Sequence, residues 1–79
     1  MIISDKILPT VFKGRNIDEL STIYLDNKNI MKISLKSSVF DNIKFLSLRS
    51  NHIKEIDFIT NFRNLWYLDL RENPVKYYL

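Results

Sequence analysis

Ile43-Lys44-Phe45-Leu46-Ser47-Leu48-Arg49-Ser50-Asn51-His52-Ile53 is written a second time, in altered letters, at Leu65-Trp66-Tyr67-Leu68-Asp69-Leu70-Arg71-Glu72-Asn73-Pro74-Val75. Apolar residues fall at the same places in both, three, two and five positions apart, and Asn holds the same polar slot. A fainter copy precedes them at Leu20, Ile23, Leu25, Lys28, Ile30 and Ile33, with Lys28 in the Asn slot. Adding the apolar residue three positions further on, the second copy ends at Ile56 and the third at Tyr78. The copies step by 23 and then 22 residues, and a fixed step of that size is the mark of stacked supersecondary units that cannot bury their apolar faces singly.

Within each copy the alternation Ile23-Tyr24-Leu25, Leu46-Ser47-Leu48 and Leu68-Asp69-Leu70 predicts short strands with one buried face. Parallel strands need crossovers, and the intervening spacing of Ile59, Phe62 and Leu65, with Val39, Phe40 and Ile43 earlier, predicts a helix in each. Asn51 and Asn73 stand where the chain leaves the strand, and an Asn there can bond backbone groups that the bend leaves unpaired. A structural Asn ladder follows from that. Lys28 breaks it, as a terminal copy without an upstream neighbour would.

The pattern resembles L-x-x-L-x-L-x-x-N-x-L of the leucine-rich-repeat family, over residues 20–79, and the 22-residue step is similar to its intracellular class. The resemblance implies an α/β fold: a short right-handed solenoid of about three repeats, with a small parallel sheet on the concave face and helices or turns on the convex face. On this reading residues 1–19 form an N-terminal cap segment. The repeats occupy 20–42, 43–64 and 65–79, and the C-terminal cap is absent.

Composition sets the bounds. Seventy-nine residues with 46% hydrophobic and 27% charged side chains describe one folded domain, and a chain this short buries only about 60% of its unfolded surface. With no cysteine, no Asn-X-Ser/Thr acceptor and no apolar leader after Met1, the expected setting is intracellular, cytoplasmic or nuclear. No stretch is apolar enough to span a membrane. Catalysis finds little material: His52 is the one histidine, Gly14 the one glycine, and neither a metal set nor a phosphate loop can be assembled, so no enzyme activity, cofactor, metal or small-molecule substrate is expected.

The strands instead present outward columns. Thr22, Phe45 and Tyr67 form one; Tyr24, Ser47 and Asp69 the next; Asp26, Arg49 and Arg71 a third; Asn27, Ser50 and Glu72 a fourth. Tyr24, Phe45 and Tyr67, with Trp66 beside them and Arg49 and Arg71 below, have the composition of an interface hot spot. The expected function is a non-enzymatic interaction module, a scaffold or accessory subunit docked in a larger assembly. A protein partner would be bound by Tyr24, Asp26, Phe45, Ser47, Arg49, Trp66, Tyr67, Asp69 and Arg71. The net charge of +3 supports an alternative, an RNA-contacting protein of a ribonucleoprotein particle such as the ribosome. Lys13, Arg15, Lys44, Lys54 and Lys76 would then touch the RNA backbone.

Overall fold

A computed structural model describes residues 1–36 and 40–76. Val39, expected on a helix, and Tyr78, expected to complete the third copy, lie outside the described residues. Strands β1 (Ile2–Ser4), β2 (Thr22–Tyr24), β3 (Lys32–Ser34), β4 (Phe45–Ser47) and β5 (Tyr67–Asp69) are joined by short connections that include one helix, α1 (Leu8–Val11). All pairing is parallel. β2, β4 and β5 form one sheet in that order, and β1 pairs with β3 in a second.

Register in the three-stranded sheet follows the sequence repeat. Ile23 stands opposite Leu46, and Leu46 opposite Leu68. These side chains point inward, as every second residue of a strand must when its neighbours point out. One residue beyond the strands, Leu48 is fully buried, with Leu25 and Leu70 packed partly buried against the same core. The two-stranded sheet closes that core from another side. Ile3 and Ile33 are paired and buried, and with Ile23 and Leu46 they line an internal void of only about 20 Å³. Aromatic rings fill the space between: Phe40 stacks on Phe62 at 4.8 Å, and Phe58 meets Phe62 edge-on at 6.3 Å.

The expected right-handed solenoid of about three repeats, with a single sheet on a concave face and helices on a convex one, is therefore corrected to a small compact α/β fold with two small parallel sheets and one short helix. Two physical causes are visible. The N-terminal segment turns back as β1 to pair with β3, so a second sheet forms where helices were expected. Between β4 and β5 the chain makes only a 3-10 turn, Asp57–Asn61, and among the described residues none joins β3 to β4. Segments this short gain too little from α-helix propagation to offset nucleation, and 3-10 geometry suits brief pieces. The spacing of Ile59, Phe62 and Leu65 is three residues, which is the period of a 3-10 turn as much as that of a helix face.

Candidate docking face

The outward side of the three-stranded sheet gathers most of the residues the sequence singled out. Phe45 lies flat against Tyr67, rings 4.7 Å apart and 3° from parallel, and Tyr24 leans onto Phe45 from the other side at 5.4 Å and 48°. A parallel register stacks like on like: Phe45 and Tyr67 are direct partners, whereas Tyr24 reaches its neighbour diagonally. Trp66 stands beside the column at 82% exposure, with the Lys44 ammonium 5.4 Å over its ring. Tyr24 and Tyr67 are 66% and 50% exposed. Large apolar surface left in water in so small a protein is a candidate contact patch.

Below the rings the face turns polar. Asp69 is 6% exposed, and Arg71 holds it through Nε and Nη2 at 3.0 and 2.8 Å, while Arg49 Nε stands 3.8 Å away. The Arg71 side-chain bonds, helped by the Arg71 amide and by the charges of Arg71 and Arg49, outweigh the desolvation that would raise the Asp69 pKa and pull it down to about 2. Two residues past β2, Asp26 Oδ1 accepts from the Ser47 hydroxyl at 2.7 Å and from the Arg49 amide at 2.9 Å. Ser47 and Asp69 are thus buried and bonded within the chain. Tyr24, Trp66, Tyr67, Arg49 and Arg71 are the residues of the set that remain exposed.

Asn51 and Asn73 tie the copies together. Asn51 Oδ1 accepts from the amides of Lys28 and Ile30, and its Nδ2 donates to the carbonyls of Leu25, Leu48 and Arg49. Asn73 Oδ1 accepts from the Ile53 amide, and Nδ2 donates to Leu48, Leu70 and Arg71. Each Asn therefore bridges its own copy and the one before. No buried side-chain polar atom among the described residues lacks a partner.

The cations proposed for RNA are not brought to one place. Lys54 and Lys76 sit on neighbouring rungs, joined by a backbone bond from the Lys76 amide to the Lys54 carbonyl. Lys13 and Arg15 flank Gly14 near β2, and Lys44 belongs to the Trp66 corner. His52 is exposed, and among the described residues no His, Asp or Glu group of three or more could hold a metal ion.

Two features escaped the sequence reading. Asn42 and Asn64 make a second bridge before the strands, their amides donating to the carbonyls of Asp18 and Asp41 at 2.7 and 2.8 Å. Their 22-residue separation was the available signal. The column Asn27, Ser50, Glu72 also proves to be left-handed throughout, with φ of 54°, 56° and 62°, and only the Asn in it hints at that conformation.

Compared with known proteins, the chain is 36% identical over 62 residues to "Receptor-like protein 7" of Arabidopsis thaliana, a match covering 77% of this chain and 6% of that protein. The similarity hints at leucine-rich repeats in this chain. No family model matches the chain. No solved structure matches it either. Among the described residues no helix is long and apolar enough to cross a membrane.

Proposed function

We propose that this chain is a non-enzymatic interaction module with leucine-rich repeats, a small accessory or structural subunit that docks a protein partner on the outward face of its three-stranded sheet. The observation that carries the reading is the aromatic cluster Tyr24, Phe45 and Tyr67, with the exposed Trp66 next in sequence, set above Arg71, which Asp69 holds, and Arg49, paired with it more loosely. Rigid aromatics lose little entropy on docking, and pre-held arginines present their free donors at no further ordering cost. An intracellular setting, cytoplasmic or nuclear, belongs to the same proposal and rests on the cysteine-free composition.

The test pairs two variants that leave the core untouched. Trp66→Ala with Tyr67→Ala alters the face; Lys54→Ala with Lys76→Ala alters a rung elsewhere. Against a partner isolated on the tagged chain, the first pair should weaken affinity by about 2 kcal/mol or more, a thirtyfold rise in Kd on the order of a hot-spot loss, and the second should not. Equal affinity for both variants, with unchanged circular dichroism, removes the face assignment.

A ribonucleoprotein role takes support from one corner, where Lys44 and the exposed Trp66 set a cation beside a stacking platform. Salt titration separates the two readings. Each phosphate contact steepens the log affinity against log salt by roughly 0.7 to 0.9, so a nearly flat response excludes the RNA role.

A further inference from the structure

Besides the aromatic face, the three-stranded sheet presents the backbone edge of β2. Backbone bonds show which way its groups point. Phe45 N donates to Ser21 O at 3.2 Å and Leu25 N to Ser47 O at 2.8 Å, so odd-numbered residues face β4. Alternate residues of a parallel strand point to opposite neighbours, and hence the amide and carbonyl of Thr22 and Tyr24 face away from the sheet. β2 is the edge strand, and among the described residues nothing pairs with those four groups.

Beside this edge runs a groove of about 440 Å³ between β2 and the turn that follows α1. Its apolar floor includes Val11, Leu20 and Leu25. Three cations line it, Lys13, Arg15 and Lys28, all exposed, and no carboxylate does. Lys28 stands where the two later copies have their bridging Asn. Asn51 bonds backward to Leu25 O, toward the preceding copy. At the edge there is no preceding strand to bridge among the described residues, and that slot carries a charge instead.

We infer that the β2 edge takes up an acidic, extended peptide segment of a partner protein as an added strand, Thr22 and Tyr24 supplying its backbone bonds and Lys13, Arg15 and Lys28 its charge complement. Strand addition draws affinity from main-chain bonds and specificity from what flanks the edge. Here the flanks select carboxylates over ammonium groups. The competing role for the same cations is to guard an exposed edge against pairing with other chains, a common use of Lys on edge strands.

The experiment uses the full chain and a capped heptapeptide, Glu-Val-Glu-Val-Glu-Val-Glu, with amide hydrogen exchange read residue by residue. Peptide at about ten times its Kd should slow exchange at Thr22 and Tyr24 about tenfold. The same peptide with Lys for Glu should not protect those amides. Neither should the acidic peptide N-methylated at every residue, which keeps charge and side chains but lacks the donors. Lys13→Glu with Lys28→Glu, both at exposed sites, should raise the Kd of the acidic peptide severalfold or more. No protection by the acidic peptide, equal protection by the lysine or N-methylated peptide, or perturbation confined to Trp66 and Tyr67 overturns the inference and leaves the cations as edge guards.

Discussion

The two sheets of this protein enclose one core but are held by different means. In the three-stranded sheet, partners are 23 and 22 residues apart, the step of the sequence repeat, and the rungs are braced by side chains: Asn51, Asn73, Asp26 and Asp69 each bond across or along it. In the two-stranded sheet the partners are 30 residues apart, off the step of the repeat, and backbone pairing and the burial of Ile3 and Ile33 are joined by a bond past the strand ends, from the Lys36 amide to Asp5 Oδ2. A sheet that repeats can reuse one polar bracket at every rung. A sheet off the repeat has no second copy in which to reuse a bracket and leans more on apolar area.

Asn51→Ala should therefore be the most damaging single change. It strips the side-chain partner from the amides of Lys28 and Ile30, the latter wholly buried, and one donor from the carbonyls of Leu25, Leu48 and Arg49, of which Leu48 keeps Asn73 and Arg49 keeps the Asn27 amide. At 1–3 kcal/mol for each buried group left unpaired, a loss of about 4 kcal/mol is expected, read as the shift of a urea unfolding curve. Asn73→Ala, at a half-buried site, should lose about half as much. Equal losses would mean that burial does not set the strength of the bracket.

The other sheet should answer to a different substitution. Ile3→Ala removes a core side chain from β1 and should destabilise by about 3 kcal/mol through lost burial and the void left behind. Conversely, the exposed β1 residue Ile2 should tolerate Ile2→Thr within about 0.5 kcal/mol. If Ile3→Ala unfolds only residues 1–12 in hydrogen exchange, the two-stranded sheet is a separable unit. Global unfolding would make it part of one cooperative core.

Asp69 supplies the pH dependence of the repeated side. Its pKa, held at about 2 mainly by Arg71, lies below the unfolded carboxylate value of about 3.9. The folded state thus favours the charged form, and this contribution to stability is complete above pH 4 and lost as pH falls toward 2. Asp69→Asn should remove that segment of the acid unfolding profile and leave stability less dependent on pH in that window. An unaltered slope between pH 4 and 2 would show that the Arg71 contact does not bias folding.

The same division explains what could be read in the letters. The 22- and 23-residue step gave the strand positions and their register, because Ile23, Leu46 and Leu68 must face one interior and a slip of one residue would turn them out. It also brought Phe45 and Tyr67 together, since parallel in-register strands stack equivalent columns, with Tyr24 reaching Phe45 from the next column. The β1–β3 pairing was illegible because β1 precedes the first copy and its 30-residue spacing to β3 is not the step of the repeat. Helices were expected from a spacing of three that a 3-10 turn satisfies equally. The burial of Ser47 and Asp69 was also hidden: outward in a strand means away from the core, and neighbouring large side chains can still cover a small residue.

A smaller effect probes the column where the copies are most alike in backbone and least in chemistry. Asn27, Ser50 and Glu72 all adopt left-handed φ, which costs an ordinary L residue roughly 1–2 kcal/mol and Asn less. Glu72 is the least suited of the three, and its carboxylate is bonded to the Ser50 hydroxyl at an exposed position. Glu72→Gly relieves the strain, loses that exposed bond and gives the unfolded chain more freedom, so the net gain should be only about 0.5 kcal/mol, or roughly 3 °C in Tm. Asn27→Gly, starting from a residue already tolerant of the conformation, should leave Tm nearly unchanged. A fall in Tm for Glu72→Gly would show that the Ser50 bond outweighs the backbone strain, and that the third copy is braced by side chains even at its surface.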